Sequence, residues 1–176
     1  LGRVDLLEHS STAAVNYFES MPQHRVTFET EFYRAALHHN RGDVLWTKGH
    51  LTPAIESFRS CITAMQGMER TYPEKGSHGG NIHLCLMKIG TLQMSQGSLT
   101  EAEQTYELAS ANMETLRAAA AKEGEDAEFN SRNAYGELLD RIGSLKLKRN
   151  DIRAASKAFS DEADLLFELQ NLQPES

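Results

Sequence analysis

A four-fold recurrence of small and aromatic residues runs through this 176-residue chain and constrains its fold more than any other feature. Each segment begins with a glycine, has alanine twelve positions later and has an aromatic residue sixteen positions later. The glycines are Gly2, Gly42, Gly90 and Gly143, the alanines are Ala14, Ala54, Ala102 and Ala155, and the aromatic residues are Phe18, Phe58, Tyr106 and Phe159. A fixed order of this kind is typical of a repeat protein.

The spacing within each segment predicts a pair of antiparallel α-helices. A small residue on each of two facing helices lets the backbones approach, and the aromatic ring fills the space beside that contact. Gly49, Gly97 and Asn150 each stand seven positions after their glycine, where the first segment has His9. Because Gly and Asn tolerate the left-handed conformation that often follows a helix end, these three positions predict the hairpin turns.

Start signals for the second helices follow the predicted turns. Thr52 and Pro53 are typical of an N-cap and a first helical residue, and Ser98 with Glu101 fits a capping box. The chain is also rich in Ala, Leu and Glu, with 4 prolines and 7% aromatic residues. This composition favours helix over strand and predicts an all-α fold.

The order of glycine, second glycine, alanine and aromatic ring resembles the tetratricopeptide repeat. The resemblance implies an α-solenoid of antiparallel helix pairs wound into a superhelix. The glycines are 40, 48 and 53 residues apart, whereas the standard repeat has a period of ~34. The extra length predicts helices of ~20 residues or more around Leu116 to Lys122 and a true loop from Glu74 to Gly80. The long period resembles the repeat arms of bacterial multidomain signalling proteins.

The repeats predict one domain over residues 1–176. Its expected parts are a truncated repeat at 1–21 and repeats at about 27–72, 81–122 and 126–172. Leu1 comes directly before the first glycine, so we expect the chain to be a fragment of a larger protein. Since each repeat buries its apolar face against a neighbour, we expect the N-terminal end to self-associate through Val4, Leu6 and Leu7.

Charge and cysteine content exclude several classes of partner and setting. The chain has 18 Lys and Arg against 25 Asp and Glu, a net charge of −7, so a nucleic-acid partner is not expected. No apolar run approaches the ~18 residues of a membrane span, and no membrane partner is expected.

Cys61 and Cys85 are too few for a disulfide framework, which favours a reducing, cytoplasmic setting. They lie on successive predicted helices, so a disulfide is conceivable, but buried reduced thiols are the expectation.

Catalytic motifs are absent from the sequence. It contains no phosphate-binding P-loop, no dinucleotide glycine motif, no zinc-protease motif, no nucleophile elbow and no C-x-x-C pair. No Glu is followed three positions later by His, as the helical di-iron enzymes require. We therefore expect neither an enzyme nor a cofactor, and a helical metalloprotein or enzyme with an unrecognised site is the alternative.

Histidines supply the only candidates for a metal site. His78, His83 and Cys85 have ligand types that suit zinc, but a closed site needs four ligands and no fourth is close in sequence. His38 and His39 are adjacent, and adjacent helical residues point ~100° apart, so we expect one to be packed and one exposed. The sequence therefore predicts no metal site.

The resemblance places partner binding in the concave groove lined by the first helix of each repeat. The positions that face such a groove lie three before, one after and four after each glycine. Here they are His39, Asp43, Trp46, Met87, Thr91, Met94, Asp140, Ser144 and Leu147. Trp46 is the only tryptophan, and it is either a groove contact or a packing residue, because every repeat has an apolar residue at this position.

A carboxylate clamp, which chaperone-binding members of the family use, fits this chain poorly. Of its Lys, Asn and Arg positions, only Arg141 and Lys88 hold a cation here, and Asp43 and Asp140 would repel a carboxylate. The acidic balance instead allows a basic or neutral peptide.

We predict a non-catalytic protein-interaction module that is a scaffold or sensor arm of a larger signalling or regulatory protein. The alternative is a dedicated adaptor for a short linear peptide.

Overall fold

The computed structural model describes residues 2–172, and within that range it contains seven α-helices and no strand. They are α1 (Arg3–Glu19), α2 (Phe28–Thr47), α3 (Leu51–Thr71), α4 (Gly79–Ser95), α5 (Leu99–Glu123), α6 (Glu125–Lys148) and α7 (Ile152–Leu172). Short 3-10 helices, Gln23–Arg25 and Pro73–Lys75, lie in the connections before α2 and α4. The expected all-α helical-repeat fold is confirmed.

The helices belong to two compact units that divide between Leu92 and Gln93. The first unit contains α1, α2, α3 and most of α4. The second contains the end of α4 and all of α5, α6 and α7. Within residues 2–172, no helix is both long enough and apolar enough to cross a membrane.

The three predicted hairpin turns are confirmed and share one hydrogen-bond pattern. Gly49, Gly97 and Asn150 have φ of +78°, +78° and +61°. Each donates its amide to the carbonyl three residues earlier, and the next residue donates to the carbonyl five residues before itself, as His50 does to Leu45. This is the Schellman motif, in which two backbone bonds satisfy carbonyls left open at the helix end.

The predicted starts of the second helices are only partly right. The N-cap of α3 is His50, so Thr52 and Pro53 lie inside the first turn. Ser98 is the N-cap of α5 as expected, but its side chain makes no capping hydrogen bond and the capping box does not form. The Schellman turn places the second helix immediately after the left-handed residue, so a side-chain cap is not needed to start it.

In the first unit, the small-to-aromatic contact lies at the centre of the α2–α3 hairpin. A Cβ built on Gly42 would lie 2.5 Å from Cε1 of Phe58, so the ring occupies the space that any larger residue would need. Ala54 and Phe58 are both completely buried. The predicted role of the recurring glycine is therefore confirmed here, with the ring lying directly on the glycine.

The second unit repeats this contact between α6 and α7. A Cβ on Gly143 would lie 2.6 Å from Cε1 of Phe159, and Ala155 is buried. Leu138 and Leu145 on α6 complete the apolar face and are almost wholly buried. The same packing thus specifies two hairpins of the chain independently.

The first segment differs from the expected truncated repeat. Residues Arg3–Glu19 form one continuous helix, so the helix pair expected in residues 1–21 is wrong. Gly2 is the N-cap of α1, where a Cβ would meet only the Asp5 carboxylate, at 3.6 Å. The physical reason is His9, which replaces the Gly or Asn of the other turns and gives the helix no residue that favours a left-handed stop.

The repeats are longer than the standard repeat, and the additional residues extend the helices, as predicted near Leu116. Helices α5 and α6 have 25 and 24 residues, and Gly124, with φ of +117°, separates them. The predicted loop from Glu74 is shorter than expected, because Gly79 and Gly80 belong to the first turn of α4. The Glu69 carboxylate accepts hydrogen bonds from the Ser77 hydroxyl and the His78 amide and ties this loop to α3.

Ion pairs connect the C-terminal ends of α2 and α6, which are the first helices of their hairpins, to the preceding helix. Lys48 contacts Asp5 at 2.7 Å and Glu8 at 2.5 Å and so connects α2 to α1. In the second unit, Lys146 lies 2.5 Å from Glu103, which Arg149 also contacts. Because these groups are exposed to solvent, each pair contributes little to stability.

Candidate functional site

The predicted groove residues of the first unit surround an ion pair between α2 and α4. Lys88 Nζ lies 2.5 Å from Asp43 Oδ1, and His39 Nδ1 lies 3.6 Å from Asp43 Oδ2. The Lys88 ammonium also lies over the Phe58 ring, 5.4 Å from its centroid. Lys88 is thus already engaged by a carboxylate and a ring, which weakens the carboxylate-clamp hypothesis further.

His39 has a polar atom without a partner in this cluster. Its Nε2 atom is buried, and no described residue forms a hydrogen bond with it. Burial lowers the pKa of His39, with the Lys88 charge acting in the same direction and Asp43 opposing it. Burial therefore favours the neutral form of this imidazole.

The other predicted groove residues of this unit are less accessible. Met87 is buried, and Trp46 and Thr91 are half-buried. The Thr91 hydroxyl donates to the Met87 carbonyl at 2.9 Å, a bond within one helix turn. These three side chains do not line the pocket described next.

A pocket of about 100 Å³ lies between α2 and α4, and we name it the α2–α4 pocket. Side chains from α2 and α4 form its walls and two α3 side chains contribute to it. The lining residues are Phe32, Ala36, His39, Asn40, Cys61, Met65, Asn81 and Leu84. His39 is the one residue that both the sequence prediction and this pocket include.

The lining of the α2–α4 pocket combines apolar surface with amide groups. Phe32 and Leu84 are exposed at 36% and 46%, although both are large apolar side chains. Asn40 and Asn81 are exposed on α2 and α4. An apolar cavity flanked by amide donors and acceptors suits an apolar side chain attached to a polar backbone.

Periodicity could have identified the residues that the sequence prediction missed. Phe32, Ala36 and His39 follow one face of α2 at spacings of four and three, and Asn81 and Leu84 are three apart on α4. The resemblance identified only the groove positions near each glycine. Those positions are sufficient for the shorter helices of a standard repeat. Because these helices are longer, the stripe extends two more turns toward their N-termini.

Two thiols lie beside the pocket. Cys61 on α3 is among its lining residues and is 1% exposed, and Cys85 on α4 is completely buried. Both cysteines are free and buried, as expected. The contact with the Cys61 thiol and burial together raise the pKa of Cys85.

The predicted groove residues of the second unit do not form a comparable cavity. Met94 Sδ accepts a hydrogen bond from the Tyr106 hydroxyl at 3.5 Å, so Met94 packs against α5. Ser144 is half-buried, and Leu147 is exposed at 48%. Asp140 Oδ2 lies 3.5 Å from Arg141 Nη1, its neighbour in sequence.

Asp140 belongs to an acidic pocket of about 180 Å³ between α6 and α7. Glu137, Glu162 and Arg141 also line it. Burial raises the pKa of Glu162, and the nearby Asp140 charge adds to the effect. The acidic lining differs in chemistry from the apolar α2–α4 pocket, and His39 has no equivalent in it.

The histidines that were weighed as metal ligands are packing residues. His78 lies against Phe28 and Phe32, with ring centroids 5.8 and 6.1 Å apart. Within residues 2–172, no group of three or more His, Cys, Asp or Glu side chains is arranged to hold a metal ion. His38 is buried and His39 is half-buried, which agrees in part with one packed and one exposed histidine.

Comparison with known proteins gives one family match. A model of the tetratricopeptide repeat matches residues 35–64, which run from the middle of α2 through most of α3. The chain has no significant match among curated proteins or among solved structures. The matched stretch contains the Gly42–Phe58 contact and the Schellman turn at Gly49. Residues 35–64 are therefore a tetratricopeptide repeat.

Proposed function

We propose that this chain is a non-catalytic protein-interaction module that holds a short extended peptide in the α2–α4 pocket. Tetratricopeptide repeats are generally non-catalytic and bind proteins or peptides. A scaffold or sensor arm of a larger signalling or regulatory protein is the biological role that we propose for the module. The buried free thiols support a reducing, cytoplasmic setting.

The observation that carries the peptide proposal is the α2–α4 pocket. It has room for one apolar side chain, and it exposes Phe32 and Leu84 at its walls. Asn40 and Asn81 flank the cavity, where an amide can both donate to and accept from a peptide backbone. Because Asp43 and Lys88 neutralise each other, the pocket favours an uncharged anchor side chain.

Immobilised short peptides that differ only in a central residue provide the test. We expect capture of the chain to increase with the apolar size of that residue. Leu84→Asp places a charge in the pocket wall, and it should weaken capture at least about tenfold, or ~1.4 kcal/mol. Asn81→Ala should weaken capture of every peptide alike, because it removes a contact to the backbone.

Leu108→Asp is the matched control, because Leu108 is an exposed leucine of α5 in the other unit. Capture by this variant should equal that of the unmodified chain. The proposal is wrong if peptides bind regardless of their central residue, or if Leu84→Asp and Leu108→Asp lower capture equally.

Self-association through the N-terminal end is a second proposal and rests on a different observation. Val4, Leu6 and Leu7 on α1 are exposed at 36%, 53% and 53%. Exposed apolar side chains favour contact with another protein surface. A second copy of the chain is the partner that we propose for this end, and its test is given in the Discussion.

A further inference from the structure

We propose that the acidic pocket between α6 and α7 is the docking groove for a basic amphipathic helix of a partner protein. The groove belongs to the second unit and shares no residue with the α2–α4 pocket. The proposal therefore goes beyond the peptide binding described above and does not depend on it. Three features support it, namely the position of the groove in the repeat, the charge of its walls and an exposed leucine in its lining.

The acidic pocket and the α2–α4 pocket occupy the same place in their repeats. Six of the seven residues that line the acidic pocket stand at the same sequence distances from Gly143 as six lining residues of the α2–α4 pocket stand from Gly42. The pairs used below are Ala36 and Glu137, Cys61 and Glu162, and Met65 and Leu166. The two pockets are therefore the same groove, formed by the two helices of one hairpin.

Helix α4 covers this groove in the first unit. The two lining residues of the α2–α4 pocket that have no counterpart in the acidic pocket are Asn81 and Leu84, and both belong to α4. Lys88, one turn after Leu84, forms the ion pair with Asp43 of α2. A groove of this kind thus accepts a third helix. The lining of the acidic pocket comes from α6 and α7 alone, and α7 is the last helix of residues 2–172.

Two positions on the second helix of the hairpin show the effect of this cover. Cys61 and Met65 on α3 are buried. The same positions are buried on α5, which packs against α6, and they hold Ala109 and Met113. On α7 they hold Glu162, which is half-buried, and Leu166, which is exposed at 47%. Because burial of apolar surface is favourable, Leu166 provides an apolar contact for a docked helix.

The charges of the walls indicate a basic partner. Glu137, Asp140 and Glu162 place three carboxylates in the lining, and Arg141 is the only cation among the described lining residues. Arg141 lies 3.5 Å from Asp140, so one positive charge faces three negative charges. Burial raises the pKa of Glu162, and the Asp140 charge adds to the effect. A Lys or Arg side chain that enters the groove relieves this repulsion.

A second copy of this chain is a poor occupant for the groove. Helix α1 has the exposed leucines that could enter it, but α1 carries Arg3 against Asp5, Glu8 and Glu19. Its carboxylates would face the carboxylates of the groove, and such like-charge contacts oppose binding. A partner helix with Lys or Arg beside an apolar stripe satisfies both the acidic walls and Leu166.

Three synthetic helical peptides of 17 residues, the length of α4, provide the test. They share one leucine stripe and differ only in whether lysine, glutamine or glutamate flanks it. Fluorescence anisotropy at physiological salt measures their binding to the whole chain. We expect the lysine peptide to bind at least about tenfold more tightly than the glutamine peptide. The glutamate peptide should not bind.

Charge reversal of the groove locates the contact. Glu137→Lys together with Glu162→Lys should abolish binding of the lysine peptide and allow the glutamate peptide to bind instead. Glu56→Lys together with Glu114→Lys is the matched control, because it changes the net charge equally at exposed positions of α3 and α5. This control should leave binding of the lysine peptide within about twofold of the unmodified chain, because distant exposed charges are screened by salt.

A second pair of variants tests the apolar contact. Leu166→Gln should weaken binding of the lysine peptide, whereas Leu108→Gln, at an exposed leucine of α5, should leave it unchanged. The unmodified chain provides a test that does not depend on the folding of a variant. Carbodiimide cross-linking followed by mass spectrometry should join a lysine of the peptide to Glu137, Asp140 or Glu162.

Several results would overturn the proposal. They are equal binding of the lysine and glutamine peptides, equal loss of binding in the two charge-reversal variants, and cross-links only to carboxylates outside the groove. Failure of every peptide to bind also overturns it, and sedimentation velocity then identifies the alternative. If Glu137→Lys with Glu162→Lys changes the association of the chain, a second copy occupies the groove. If it does not, the groove is a solvent-facing end of the repeat.

Discussion

The ring of Phe58 fills the place that a Cβ would take at Gly42, with only 2.5 Å between Cε1 and the ideal Cβ position. Gly143 and Phe159 stand in the same relationship at 2.6 Å. A glycine on the first helix therefore accepts an aromatic ring from the second helix, and this contact determines how closely each hairpin packs. The tetratricopeptide match at residues 35–64 contains the first of these pairs.

Gly42→Ala should destabilise the chain by about 1–2 kcal/mol. The added methyl group overlaps a completely buried ring, which costs ~1–3 kcal/mol, and better helix propensity returns up to ~1 kcal/mol. Gly67→Ala on α3 is the matched control, because nothing lies within 4 Å of its Cβ position. That variant should be more stable by ~0.5–1 kcal/mol. Urea unfolding measures both, and equal changes would contradict the packing role of Gly42.

Asn150→Gly should stabilise the α6–α7 turn by about 0.5 kcal/mol, and Asn150→Ala should destabilise it by about 1 kcal/mol. The residue has φ of +61°, a conformation that is easy for glycine and strained for alanine. Asn16→Ala inside α1 is the control, and it should be neutral or slightly stabilising because alanine favours a helix. Thermal unfolding measures the stability of each variant. If Asn150→Ala is as stable as Asn150→Gly or more stable, the turn assignment is wrong.

Stability should fall on acidification because of His38. Burial lowers the pKa of His38, with Arg34 and Arg41 adding to the effect and Glu19 opposing it. As the pH falls, His38 is therefore protonated at a higher pH in the unfolded chain than in the folded chain. The contribution of neutral His38 to the free energy of unfolding is present above pH ~6.5. It is lost as the pH falls through the lowered pKa of the folded chain, with a slope of at most ~1.4 kcal/mol per pH unit. His39 acts in the same direction.

Urea unfolding between neutral pH and about pH 5 measures this dependence. His38→Gln should reduce the slope, whereas His9→Gln, at an exposed position of α1, should leave it unchanged. An unaltered slope in His38→Gln would show that other groups cause the pH dependence.

The exposed leucines of α1 should support association of two chains. Leu6→Lys together with Leu7→Lys adds charge to this surface, and it should shift the chain toward the monomer in sedimentation velocity. Leu108→Lys, at an exposed leucine of α5, is the control and should leave the association unchanged. A monomeric unmodified chain at high concentration would contradict the proposal.

Local residue preferences made much of the fold predictable. Gly49, Gly97 and Asn150 occupy positive φ, which side chains other than Gly and Asn adopt reluctantly, so the three turns could be located without a structure. The same rule explains the error at His9, where the recurrence suggested a turn but the residue does not favour one. Thr52 and Ser98 were weaker signals, because the helices that follow the turns at Gly49 and Gly97 begin without a side-chain capping hydrogen bond.

The candidate site was less predictable than the fold. His39 was expected at the groove and lines the α2–α4 pocket, but Phe32, Asn81 and Leu84 were not expected. Their contribution depends on how far two long helices run side by side, and a repeat pattern anchored on one glycine does not contain that length.

The amino-acid sequence by itself determined the helical repeat, the positions of its turns and the small residues that receive the aromatic rings. These features follow from backbone conformation and residue size, which act over a few neighbouring positions. Only the tertiary structure decided that Lys88 is held by Asp43 and that a pocket opens between α2 and α4. Such contacts join residues more than twenty positions apart, and their geometry depends on how whole helices pack against one another.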